Sequence, residues 1–106
     1  MAKIVVVMPY NYVTLDRENL EVAASVVQLS QSKIVGKVQY ARFQCQEASI
    51  RVTTTGDEPT AAGHVGEVFG ALTVFEVWGR GALRKMKMIR ETSATARIEV
   101  TYMGEK

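Results

Sequence analysis

One cysteine, Cys45, and one histidine, His64, are all the sulfhydryl and imidazole chemistry that the 106 residues hold. A lone cysteine rules out an internal disulfide, so the chain has no covalent framework. A lone histidine beside it leaves no ligand set for a zinc or iron centre, and a cupin-type metal site needs several histidines. No metal or other cofactor is therefore expected. Long apolar runs are missing too. The longest near the start, Ile4–Met8, falls far short of the roughly 20 residues that cross a bilayer. That opening also lacks the longer apolar core and cleavage site of a secretion signal, so the expectation is synthesis in a cytoplasm-like compartment. Charge of one sign is scarce as well. Lys and Arg number 13 against 11 Asp and Glu, a net +2, which gives no pull toward nucleic acid or an anionic membrane.

What is present suits one small domain spanning residues 1–106. The length is ordinary for a single core, and 47% hydrophobic against 23% charged residues is a globular balance, unlike disorder. A chain of this size buries about two-thirds of its unfolded surface, enough to fold without staples but with thin reserves. Oligomerisation would add burial.

Valine, isoleucine and threonine recur throughout, favouring pleated strands over helices. Ile4–Met8 is a strand-length apolar run that Pro9 confines to an edge or brings to an end. Asp16–Asn19 reads as a polar turn. Leu20–Leu29 fits a helical stripe and a strand equally well; Ser25, Val26 and Val27 weaken the helix, so strand is favoured. A short helix there is the only one the pattern tolerates. Ser30–Gly36 reads as a loop. Ala41, Phe43 and Cys45 then share one face, with Arg42, Gln44 and Gln46 on the other. The phase shifts near Glu47, as at a bulge or tight corner, and resumes with Ala48, Ile50 and Val52. Gly56–Thr60 is a glycine–proline turn, and Ala61–Gly70 holds too much glycine for a regular element. Leu72–Trp78 is β-prone and ends at Gly79-Arg80-Gly81; no helix is expected to follow. Lys85–Ile89 alternates basic and apolar residues. Ala96, Ile98, Val100 and Tyr102 form the clearest inward face of all. Short strands at this spacing predict an all-β fold, a small jelly-roll-like sandwich.

Catalytic signals are weak. Cys45 should point inward and behave as an inert small hydrophobe. Ser25, Ser30, Ser32, Ser49 and Ser93 lie in no nucleophile-elbow context, and His64 reads as a loop residue. The glycines around Gly79-Arg80-Gly81 match no phosphate-binding pattern, so they read as a turn. The chain is expected not to be an enzyme. The one local excess of positive charge is Arg80, Arg84, Lys85, Lys87 and Arg90, unbroken by acid. Such a patch is either a solvated face or a dock for an acidic protein surface. Nucleic acid is disfavoured because only Trp78 supplies an aromatic nearby. Tyr10, Tyr12, Tyr40 and Trp78 would serve a carbohydrate groove if exposed, and packing otherwise. Met8, Met86 and Met88 read as core filler.

The segments from Tyr40 onward resemble a family of small structural proteins of tailed phages and prophages. The likeness rests on the alternating strand 41–52, the turn Gly56–Thr60 and Gly63-His64. It continues through Phe75-Glu76-Val77-Trp78-Gly79-Arg80, Met86-Lys87-Met88-Ile89-Arg90 and the final strand 96–102. Gly81–Arg84 departs from the more regular loop of that family. The resemblance implies a virion protein on the head surface. Its role there would be capsid decoration or cement, with the major capsid protein and further copies of itself, as homodimer or homotrimer, for partners. Ile4, Val6, Met8 and Tyr10, together with Arg80, Arg84, Lys85 and Lys87, are the expected contact residues. A carbohydrate-binding or host-attachment module of the virion is the alternative.

Overall fold

The alternating stretches become the inner faces of two antiparallel sheets. A computed structural model describes residues 12–105, in which eight strands, one short helix and one 3-10 turn follow one another. The strands are β1 (Tyr12–Val22), β2 (Val27–Gln28), β3 (Val38–Gln46) and β4 (Ile50–Thr53), then β5 (Glu67–Phe69), β6 (Val74–Trp78), β7 (Lys87–Arg90) and β8 (Ala96–Glu105). The helix α1 is Arg80–Lys85 and the 3-10 turn is Gln31–Lys33.

Pairing follows one rule: first with last. β1 pairs β8, β2 pairs β7, β3 pairs β6 and β4 pairs β5, all antiparallel. This is a long two-stranded ribbon. Rolling it brings β3 beside β8 and β4 beside β7, which gives the sheets β1-β8-β3-β6 and β2-β7-β4-β5. That order is a jelly roll.

The core lies between the sheets. Ala41, Phe43 and Cys45 of β3 face inward with Ile98, Val100 and Tyr102 of β8, and Ile50, Val52 and Met88 answer from the second sheet. Phe43, fully buried, alone contributes about 1.5–3 kcal/mol by leaving water. Met86 and Met88 are core filler, as their spacing suggested. The phase shift near Glu47 is a tight corner: Glu47 has φ 73° and the Ala48 amide donates to the Gln46 carbonyl at 2.8 Å. There the chain leaves one sheet for the other.

Three local expectations fail, each for a physical reason. Asp16–Asn19 is no turn but the middle of β1. Its polar residues are strand residues on an exposed end strand, with Arg17 and Asn19 both donating to the Glu99 carboxylate of β8 at 3.1 and 2.9 Å. Leu20–Leu29, where the pattern favours strand over helix, is indeed the end of β1, a connection and β2. The helix stands instead at Arg80–Lys85, right after Gly79, where none was expected. Six residues with one buried anchor, Leu83, leave too little periodicity to read. The glycine-rich stretch 61–70 holds β5, because pairing with β4 overrides its weak propensity.

Candidate functional site

The two ends of the sandwich differ. At the β1–β2 side the chain itself closes the edge. The Glu18 carboxylate accepts from the Ser30 amide at 3.1 Å, from Ser30 Oγ at 2.8 Å and from the Tyr102 hydroxyl. Burial, with the carboxylate beside it, raises the Tyr102 phenol far above its ordinary range. The opposite edge, where β5 ends one sheet and β6 the other, is open among the described residues.

Between β5 and β6 lies a groove of about 600 Å³. Its floor is apolar: Val52, Phe69, Phe75 and Val77. Phe69 and Phe75 stack at 4.0 Å across the gap, and Phe75 stacks on Phe43 at 4.9 Å, so the floor is continuous with the core. The rim is polar, with Thr53–Thr55, Asp57 and Glu67 on one side and Glu76 and Trp78 on the other. Alternation along β6 explains the division, since Phe75 and Val77 turn inward and Glu76 and Trp78 outward.

Among the described residues the rim carries three carboxylates and no basic side chain. Glu76 lies 3.7 Å from Arg42 and accepts from the Trp78 indole at 3.4 Å. Among the described residues the Asp57 carboxylate accepts only from Thr55 Oγ1, at 2.9 Å, and Glu67 is exposed; neither has an ion-pair partner there. Arg51, which donates to the Gly66 carbonyl of the groove wall, is neutralised by Glu91. The groove therefore has a negative rim around an apolar floor.

Trp78 marks its lower end. It is half exposed, stacks on Tyr40 at 4.0 Å and meets Tyr12 at 5.9 Å. Three of the four aromatics singled out in the sequence thus meet on the outer face of the first sheet. Tyr10 lies outside the described residues. Tyr40 is fully buried in this cluster, and its hydroxyl finds no partner among the described residues. Desolvation raises its phenol above the usual range.

The basic patch is divided. Arg80 and Arg84, one turn apart on α1, donate to the carbonyls of Gly36 and Ile34 at 2.7 and 3.0 Å. They fasten the helix to the loop before β3. Lys85 is exposed and Lys87 half-buried on β7; neither forms an ion pair among the described residues. Ile4, Val6 and Met8 lie outside the described residues. Cys45 is buried, with Sγ donating to the Ala48 carbonyl at 3.0 Å, and burial pushes its thiol up. His64 sits exposed in a loop with φ 57°. Among the described residues no three His, Cys, Asp or Glu side chains converge as a metal would require.

Sequence reasoning missed the groove. Asp57, Glu67 and Glu76 are far apart in the chain, and the only signal was the β-prone strand carrying both Phe75 and Trp78. No protein-family model and no curated protein matches this chain.

Proposed function

We propose that this chain is a non-catalytic structural protein of a phage virion, one that reinforces the head shell by binding to it as a small oligomer. What carries the reading is the open edge of the jelly roll. Two end strands flank an apolar groove there, an arrangement suited to engaging another chain. Symmetry on a shell multiplies each modest contact across many copies, so such a domain strengthens weak joints without high affinity per site. In this reading the patch of Arg80, Arg84, Lys85, Lys87 and Arg90 meets an acidic capsid surface; Arg80 and Arg84 also tie α1 to the loop before β3 while staying exposed. The apolar stretch Ile4–Met8 is a further contact in this reading.

Sedimentation with decoration-free shells tests it. The parent protein co-sediments at high copy number. A Lys85→Glu, Lys87→Glu variant co-sediments less, and its deficit shrinks as salt screens the charges. Deleting residues 2–10 weakens binding or oligomerisation while leaving the strands intact. A parent protein that stays in the supernatant overturns the reading.

The cluster of Tyr12, Tyr40 and Trp78 favours a second reading, a carbohydrate-binding virion module. Retention on a glycan array, lost on Trp78→Ala, would support it over the first.

A further inference from the structure

We infer that the groove between β5 and β6 is an acceptor for an extended peptide that carries basic residues alternating with apolar ones, contributed by the shell protein. The inference rests on the proposed docking role and names the chemistry of the partner at that site.

Three observations converge on it. The first is backbone. β5 and β6 each pair on one side only among the described residues, β5 with β4 and β6 with β3. The outer side of β6, the longer of the two, presents a row of backbone donors and acceptors that an added strand satisfies. The second is shape. The floor of Val52, Phe69, Phe75 and Val77 accepts every second side chain of such a strand, since its side chains alternate between floor and rim. The third is charge. The rim offers Asp57, Glu67 and Glu76 and no cation, and two of those carboxylates have no ion-pair partner among the described residues. Lysines or arginines on the peptide's outward positions meet them.

A glycan fits less well. One face of the Trp78 ring already stacks on Tyr40 and Tyr12 packs against it, which restricts the platform a sugar ring would need. An apolar floor has little to offer hydroxyl groups. An acidic strand is excluded by like-charge repulsion at the rim.

Trp78 is the only tryptophan, so its emission reports the occupied groove directly. The experiment titrates the full chain with Ac-KVKVKV-NH2, with Ac-EVEVEV-NH2 and with a set of neutral oligosaccharides, and repeats each by calorimetry. The lysine peptide should bind saturably, about tenfold or more tighter than the glutamate peptide, and weaken with salt. Glu67→Lys should weaken it by about tenfold; Asp57→Asn, a milder change, should weaken it less, with the melting temperature of both variants near that of the parent. N-methylating alternate residues of the lysine peptide should abolish binding in one register and spare it in the other, because only one set of amides faces the strand edge. Hydrogen exchange at Glu76–Trp78 should slow on binding. Equal affinity for both peptides, no binding of either, indifference to N-methylation in both registers, or displacement by an oligosaccharide overturns the inference. So does binding that appears only after residues 2–10 are deleted, which would make that segment the occupant. The titration needs no shell, so a failure here is distinct from a failure of the sedimentation test.

Discussion

Arg51 and Glu91, 40 residues apart, form a two-point ion pair: Nε donates to Oε2 at 2.7 Å and Nη2 to Oε1 at 2.9 Å. Arg51 is only 6% exposed and directs Nη1 at the Gly66 carbonyl, 2.9 Å away. One planar guanidinium thus joins β4 to the segment after β7 and to the loop entering β5, and so sets the wall of the groove.

Removing one partner should cost more than breaking an exposed pair, because it leaves a buried charge alone. Arg51→Lys, which cannot make the two-point contact, and Glu91→Gln should both lower the urea midpoint well beyond Arg17→Ala. Hydrogen bonds from Arg51, helped by its charge, hold the Glu91 carboxyl below the usual carboxylate range. A lowered folded value means the stabilisation is complete above the ordinary range and is lost as pH falls through the folded value. The gap between parent and Glu91→Gln should therefore be widest at neutral pH and close as the solution is acidified.

Cys45 should resist modification. Its thiol is buried, bonded to the Ala48 carbonyl and held above its ordinary range. Labelling of the native protein should run about a hundredfold or more slower than in denaturant, since it waits on opening of the core. Rapid stoichiometric labelling without denaturant would contradict this placement.

Tyr102 and Glu18 should behave as a coupled pair. Tyr102→Phe removes one donor from the Glu18 carboxylate and should cost about 1–2 kcal/mol in denaturant titrations. A double-mutant cycle with Glu18→Gln should return a coupling of about 0.5–3 kcal/mol. Additive losses would mean that the contact does not stabilise the closed edge.

Two glycines should respond in opposite directions. A Cβ at Gly104 would lie 2.0 Å from the Lys37 carbonyl oxygen and 2.6 Å from Leu15 Cδ1. Gly104→Ala should therefore cost about 3 kcal/mol or more. Gly81 lies inside α1 with nothing within 4 Å of a built Cβ. Gly81→Ala should stabilise by about 0.5–1 kcal/mol through better helix propensity. Thermal melts of the two variants check both signs.

The sequence by itself determined the inward faces. Side chains in a strand alternate with period two, so Ala41, Phe43, Cys45 and Ala96, Ile98, Val100, Tyr102 had one way to bury their apolar sides. The corner at Glu47 was legible for the same reason, as a break in that period. Asp16–Asn19 was misread because polarity alone cannot separate a turn from a solvated end strand; partners on β8 make the difference. α1 escaped because a turn and a half of helix carries no readable stripe. Tertiary structure alone decided the functional geometry. Which strands end each sheet depends on how the ribbon rolls, and that rolling leaves β5 and β6 facing one another without partners among the described residues. It collects Asp57, Glu67 and Glu76 around Phe69 and Phe75, and it gives the exposed Arg80 and Arg84 a second role as ties for α1. Long-range pairing sets these relationships, and no local pattern in the chain encodes them.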